Sequence, residues 1–247
     1  LPAVMGTLWL VFGAVLFAVP LGVGAAVFLT EYAERGRFTQ LVEVATNGLW
    51  STPSIVFGLF GLAFLVPRIS GGNSIFVGQL VLGFMLLPLV LITSREAILA
   101  VPDEHRDASA ALGVTKWETI RSVVLPAAMP GTITGVILGV GRIAGETAPL
   151  LLVFGGSPYP SSYPNVIGSF EFSTQPPFVT NDALLSPASA LPYQLYSTIT
   201  AGVFPKDIFT NTEFGWGTAL VLLGVVLGLY AVGVGSRMYF RRKLHHE

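Results

Sequence analysis

The chain has no cysteine, which excludes a disulfide framework, a thiolate metal site and a cysteine nucleophile. Charge is scarce as well. Only 11% of its 247 residues are Asp, Glu, Lys or Arg, while 52% are hydrophobic and the mean hydropathy is +0.70. Long apolar runs with so little charge are those of an integral membrane protein. Histidine is limited to three residues. His105 stands alone, and the adjacent His245 and His246 at the terminus make a weak pair, so no metal site is expected. Gly-Lys-Ser/Thr occurs nowhere, which leaves the chain without a Walker A loop. With no nucleophile–base set in view either, it is not expected to be an enzyme.

About 20 predominantly apolar residues cross a hydrocarbon core of about 30 Å. Five segments meet that length: residues 4–30, 41–66, 75–99, 130–154 and 216–239. The chain therefore reads as all-α, one polytopic transmembrane helix bundle over residues 1–247. Pro20, Pro53, Pro88 and Pro149 lie inside four of the spans, where proline removes a donor and kinks a helix. Residues 183–204 are apolar but interrupted by Pro187 and Pro192, and read as a partly helical piece of a long loop over residues 155–212.

Basic residues set the orientation. Arg35 and Arg37 follow the first span; Arg95, Arg106, Lys116 and Arg121 lie between the third and fourth; Arg237, Arg241, Arg242 and Lys243 follow the fifth. These ten of the thirteen basic residues fall on one side, and the positive-inside rule makes that side cytoplasmic. The C-terminus is then cytoplasmic, Leu1 is external, and the 155–212 loop is external and suited to docking a binding protein. The basic tail anchors to anionic lipid. An external Leu1 leads to the expectation that one further span precedes it.

The cytoplasmic segment over residues 101–126 carries clear local signals. Asp103 after Pro102 is a helix N-cap, Ala108 and its neighbours propagate a short helix, and Gly113 supplies a left-handed stop. Thr115 and Glu118 form a capping box that starts a second helix. The small residues Ala108, Ser109, Ala110 and Ala111 make the first helix slim enough to enter a groove on another protein.

The fourth span carries two charges, Arg142 and Glu146, in an apolar glycine-rich run. Charges at bilayer depth cost free energy and mark ion or proton pathways, or pair with one another. Arg142 lies about 18 Å along the helix from Pro130, near the midplane. At about 100° per residue, Gly131, Gly135, Gly139, Arg142 and Glu146 share one face. Glycines four apart permit close approach, so that face is expected to meet a neighbouring helix or partner subunit. Two roles are open to the pair. Arg142 and Glu146 neutralise each other at i, i+4 spacing, or Arg142 offers its fork of donors to an oxyanion in transit.

Two sets of residues carry a family resemblance. Asp107-Ala108-Ser109, three residues, Gly113, nine residues and then Val123-Val124-Leu125-Pro126 resembles the cytoplasmic Glu-Ala-Ala motif of ABC importer permeases. Gly141-Arg-Ile-Ala-Gly-Glu-Thr-Ala-Pro-Leu-Leu151, Thr52-Pro-Ser-Ile-Val-Phe-Gly-Leu-Phe60 and the turn holding Tyr32 resemble the PstA-type permeases of phosphate ABC importers.

The resemblance implies a bundle of the ABC importer permease type, with five spans here and the family's first span missing. It implies a location in the bacterial cytoplasmic (inner) membrane. It also implies four kinds of partner: a PstC-type sister permease, a PstB-type ATPase dimer that binds ATP and Mg, a PstS-type external binding protein, and inorganic phosphate. No cofactor is expected in this chain and no nucleic acid among its partners. Asp103, Asp107, Ala108, Ser109, Gly113, Leu125 and Pro126 would couple to the ATPase, while Arg142, Glu146, Thr147 and Arg95 would line the substrate path. Relatives often carry Arg where this chain has Thr93, two residues from Arg95 and so about 200° away around the helix. A permease for sulfate or molybdate is the alternative within the class, and a non-conducting membrane sensor or scaffold the alternative outside it.

Overall fold

The computed structural model describes residues 2–34, 36–154, 170–172, 179–201 and 211–244. Its contacts group into two compact units. The first comprises Leu1–Phe17, Thr52–Met85 and Gly141–Gly228; the second comprises Ala18–Ser51, Leu86–Val140 and Leu229–Glu247.

Among the described residues, four helices are long and apolar enough to cross a membrane, and a bent pair makes a fifth span if counted as one. Helix α1 (Pro2–Val27) runs on through a widened π turn, Phe28–Tyr32, and ends where Ala33 turns extended. Helix α4 (Ile75–Leu99) stops just ahead of Val101-Pro102, because the residue before proline is held out of helical geometry. Helix α11 (Asn211–Leu244) leaves most of its apolar side chains uncovered within the chain.

Two predicted spans differ from expectation. Over residues 41–66 there are two helices, α2 (Arg37–Ser51) and α3 (Ser54–Phe60, continued as π turns over Gly61–Ser70), bent by 104°. Pro53 adopts φ −57° and ψ 139°, so the chain leaves helical geometry there altogether. Helix α2 is also inverted relative to a soluble helix: Thr39 and Thr46 are buried while Phe38, Leu41 and Val44 are exposed.

The fourth span starts earlier than residue 130 and breaks before 154. It is continuous from Lys116 to Ala144, as α6 (Lys116–Thr119), a π turn (Ile120–Val124) and α7 (Leu125–Ala144). The π turn precedes Pro126, which has no N–H to give to Ser122, so a widened ring absorbs the missing bond. Past Ala144 the chain leaves the helix at Gly145, Glu146 and Thr147 and resumes as α8 (Ala148–Val153). Pro149 explains that location, since its ring in an unbroken helix would strike the carbonyl of residue 145.

In the first unit, α3 packs on α8 through Gly58. A Cβ there would lie 2.7 Å from Pro149 Cα, and one at Gly61 would lie 2.7 Å from Val153 Cγ1. The two resemblance motifs at 52–60 and 141–151 therefore meet each other. Gln79 of α4, buried, donates to Trp9 O at 3.0 Å in the space that Gly13 leaves open. Helices α9 (Asp182–Leu185) and α10 (Leu191–Ala201) make the 183–204 stretch partly helical, and Leu191 N donates to Thr7 Oγ1 at 2.9 Å. Phe170–Phe172 and Val179–Asn181 pair antiparallel, a small addition to an otherwise helical chain. The rest of the 155–212 loop, Arg35, Lys206, His245 and His246 lie outside the described residues, as do the side chains of Arg241 and Lys243.

In the second unit, Ala26 and Val27 of α1, Ile98 of α4, Val101, and Ile120 and Val124 of the π turn form a buried apolar cluster. It lies beneath the short helix α5 (Asp103–Ala111). The glycine face of α7 packs on α4 here. A Cβ at Gly131 would sit 2.6 Å from Ala97 Cβ, and one at Gly135 or Gly139 would overlap Thr93 or Leu86. The partner of that face is a helix of the same chain.

Candidate functional site

The break between α7 and α8 holds the intramembrane charges. Arg142 is on the last turn of α7, and Glu146 lies beyond the helix end, where its N–H reaches back to Ile143 O at 3.3 Å. The i, i+4 helical pairing expected from sequence is thus replaced by a pair across a break. Arg142 Nε and Glu146 Oε1 are 3.7 Å apart, an ion pair longer than a hydrogen bond. Arg142 is 38% exposed and Glu146 17%. Thr147, with φ −114°, precedes α8 and its carbonyl accepts from Leu151 N at 3.1 Å. Irregular backbone at membrane depth is tolerated where protein covers it or where it lines an aqueous cavity. Here α3 covers α8, while the Arg142 side chain stays partly exposed.

Arg95 belongs to the second unit. Its Nη2 meets Glu43 Oε1 of α2 at 2.6 Å, in a cavity of about 230 Å³ lined also by Thr46, Asn47 and Glu96. Its Nε is buried with no hydrogen-bond partner among the described residues, which a water or an anion in that cavity would satisfy. Thr93 faces the opposite way, onto Gly135, with its hydroxyl donating to Leu89 O at 2.8 Å. A Cβ at position 135 would overlap Thr93, so the close approach there depends on glycine. Sequence reasoning missed Glu43, although a carboxylate inside an apolar stretch is a signal in its own right.

The 101–126 segment folds as two short helices around a turn. The first helix is α5, but its N-cap is Pro102, and Asp103 instead pairs with Arg106. Gly113 has φ +75°, the left-handed geometry that its residue type permits. Thr115 caps α6, accepting from Glu118 N at 3.4 Å. Asp107 and Ala108 are exposed, as is Leu112 at 83%, so this surface is open to a partner. Ser109 turns inward instead, sharing a 2.8 Å hydrogen bond with Thr119 Oγ1. Leu125 packs against the buried cluster and Pro126 is half-buried, so both support the segment from beneath. Among the described residues no three His, Asp or Glu side chains gather as a metal site.

Residues 18–245 match the model of the family described as binding-protein-dependent transport system inner membrane component. The chain belongs to that family. It is 34% identical to the probable ABC transporter permease protein YqgI of Bacillus subtilis over 94% of its own length and 76% of the relative's. It is 33% identical to the phosphate transport system permease protein PstA of Mycobacterium leprae, over 98% of this chain and 71% of that one.

Among solved structures, the MetNI methionine ABC transporter in an inward-facing form superposes with a TM-score of 0.72, covering 96% of this chain and 94% of that one at 17% identity. A bacterial ABC transporter involved in alginate import follows the same fold, with a TM-score of 0.63 at 15% identity over 94% of this chain and 78% of that one. The molecule is a multi-pass inner-membrane permease with the ABC importer permease fold.

Proposed function

We propose that this permease is the PstA-type subunit of an ATP-driven importer of inorganic phosphate. The observation that carries the reading is the identity to PstA proteins along nearly the whole chain, with Arg142 and Glu146 placed at a helix break. A PstC-type sister permease completes the pathway, a PstB-type ATPase dimer binds ATP and Mg and seats α5, and a PstS-type binding protein delivers phosphate to the external face. The C-terminus and α5 are cytoplasmic, and Leu1 is external.

The chemistry fits that cargo. Phosphate near neutral pH keeps at least one O–H, so a site with both a guanidinium donor and a carboxylate acceptor satisfies it. Sulfate has no proton to give and would face Glu146 as a like charge. An anion would compete with Glu146 for Arg142, the two side chains standing 3.7 Å apart. Arg95, with its buried unpartnered Nε, is a second place on the path where an anion gains a donor.

Closure of the ATPase dimer moves α5, and the spans rock between outward and inward access. The test is Arg142→Ala in the reconstituted complex. Phosphate uptake should fall at least about a hundredfold while the subunits still co-purify. Normal uptake would leave Arg142 as a partner of Glu146 only. Wild-type uptake of labelled phosphate that sulfate or molybdate suppresses better than phosphate does would reassign the cargo. An intact complex with no ATP-dependent flux would indicate a sensor or scaffold.

A further inference from the structure

Arg106 reads in the sequence as one more positive-inside charge. In the structure it is the most heavily engaged side chain of α5. Its Nε and Nη2 donate to Glu31 Oε1 at 3.2 and 3.0 Å, Nη2 also to Ile98 O at 3.0 Å, and Nη1 to Val101 O at 2.7 Å and Asp103 Oδ1 at 3.1 Å. Glu31 lies in the π turn that ends α1 and is only 10% exposed, against 21% for Arg106. Ile98 lies near the end of α4, and Val101 just beyond it. One guanidinium on a nine-residue helix therefore holds the ends of two spans.

The neighbouring contacts have the same direction. Tyr32, next to Glu31, lies under Lys116 of α6, whose Nζ is 5.0 Å from the ring centroid. Ser109 is the one buried residue of α5, so apolar packing contributes little to holding this helix in place. Breaking the Glu31 pair would strand a carboxylate that water hardly reaches, and such pairs resist opening.

We infer that Arg106 is the positioning residue that passes movement of α5 into α1, through a Glu31 pair that stays closed while α5 moves. The fork geometry of arginine matters, because it reaches the carboxylate and two backbone carbonyls together. The inference rests on the ATP-coupled reading above.

The experiment uses the whole transporter in proteoliposomes, with ATP on the ATPase side and binding protein on the other. ATP hydrolysis and labelled phosphate uptake are measured together. ATP-dependent uptake by the wild type comes first, and its absence would sink the importer reading, whatever Arg106 does. In Glu31→Gln, which keeps the volume and one acceptor, phosphate moved per ATP should fall about fivefold or more with hydrolysis retained. The chain has no cysteine, so Glu31→Cys with Arg106→Cys can be bridged by a short bis-maleimide, partner cysteines having been replaced. Bridging should recover uptake per ATP, while the single-cysteine variants treated alike stay low. Unchanged uptake per ATP in Glu31→Gln would overturn the inference. So would loss of uptake on bridging, since the pair would then have to open. Glu31→Gln decides the matter should the cysteine pair not assemble.

Discussion

The break between α7 and α8 and the coupling segment around α5 each hold an arginine–glutamate pair, and they are built on opposite plans. At the break, backbone packs on backbone, Gly58 against Pro149, and the charges are left long and partly open at 3.7 Å. At the coupling segment the pair is bonded at 3.0 Å and nearly closed to solvent, and the open surface carries Leu112 and Trp117 beside the charged Asp107, Lys116 and Glu118. Where close packing fixes the chain, the charged pair stays partly exposed, as the proposed anion path requires. Where polar staples fix it, the outer surface, apolar and charged together, is left open. An importer needs one of each: a place where an anion comes and goes, and a lever that does not come apart.

The largest effect should come from filling the packed side. Gly58→Val puts a branched side chain where backbone already stands, 2.7 Å from Pro149 Cα, and neither chain can turn aside. Overpacking of this kind costs about 1–3 kcal/mol or more. Gly24→Val is the control, because a Cβ at Gly24 meets nothing within 4 Å. The thermal midpoint of the purified complex should fall clearly for Gly58→Val and little for Gly24→Val. Equal midpoints would mean that packing does not hold the break, and the comparison would collapse on that side.

A smaller effect is expected at Gly113, where the demand is conformational. Its φ is +75° and a Cβ there would meet open space, so a side chain costs only the left-handed backbone, about 1–2 kcal/mol. Gly113→Val should assemble but lower phosphate moved per ATP, because the turn that joins α5 to α6 is distorted. Gly113→Asn should keep most of the coupling, since Asn tolerates that region better. If Val and Asn behaved alike, the positive φ would not be what the lever requires.

The spans at 4–30, 75–99 and 216–239 were legible because a long apolar run admits one structure in a bilayer. The breaks at Thr52-Pro53 and at 145–147 were not, because proline in a span reads equally as a kink or as an end. Only the packing of α3 on α8 decides between them. The glycine face of α7 was legible from helical phase, and phase also separated Thr93 from Arg95. Glu31 and Glu43 escaped notice because each partner is far away in sequence, Arg106 for one and Arg95 for the other. A carboxylate at the end of an apolar run, or within one, is the signal that points to such joints. Ser109 shows the limit of motif reading, since it sits inside a docking motif and faces inward.

The smallest effect bears on whether the polar staples share the load. Thr115 accepts from Glu118 N at 3.4 Å at an exposed site, a long bond that water can replace. Thr115→Ala should therefore cost about 0.5 kcal/mol, the low end for loss of an N-cap. Uptake per ATP should stay within about twofold of wild type, because Arg106 and Ser109 still tie α5 to the spans and to Thr119. A loss as large as that expected of Glu31→Gln would mean that the cap, not the arginine, sets the position of α5. The contrast between a stapled lever and a packed break would then have to be drawn at Thr115.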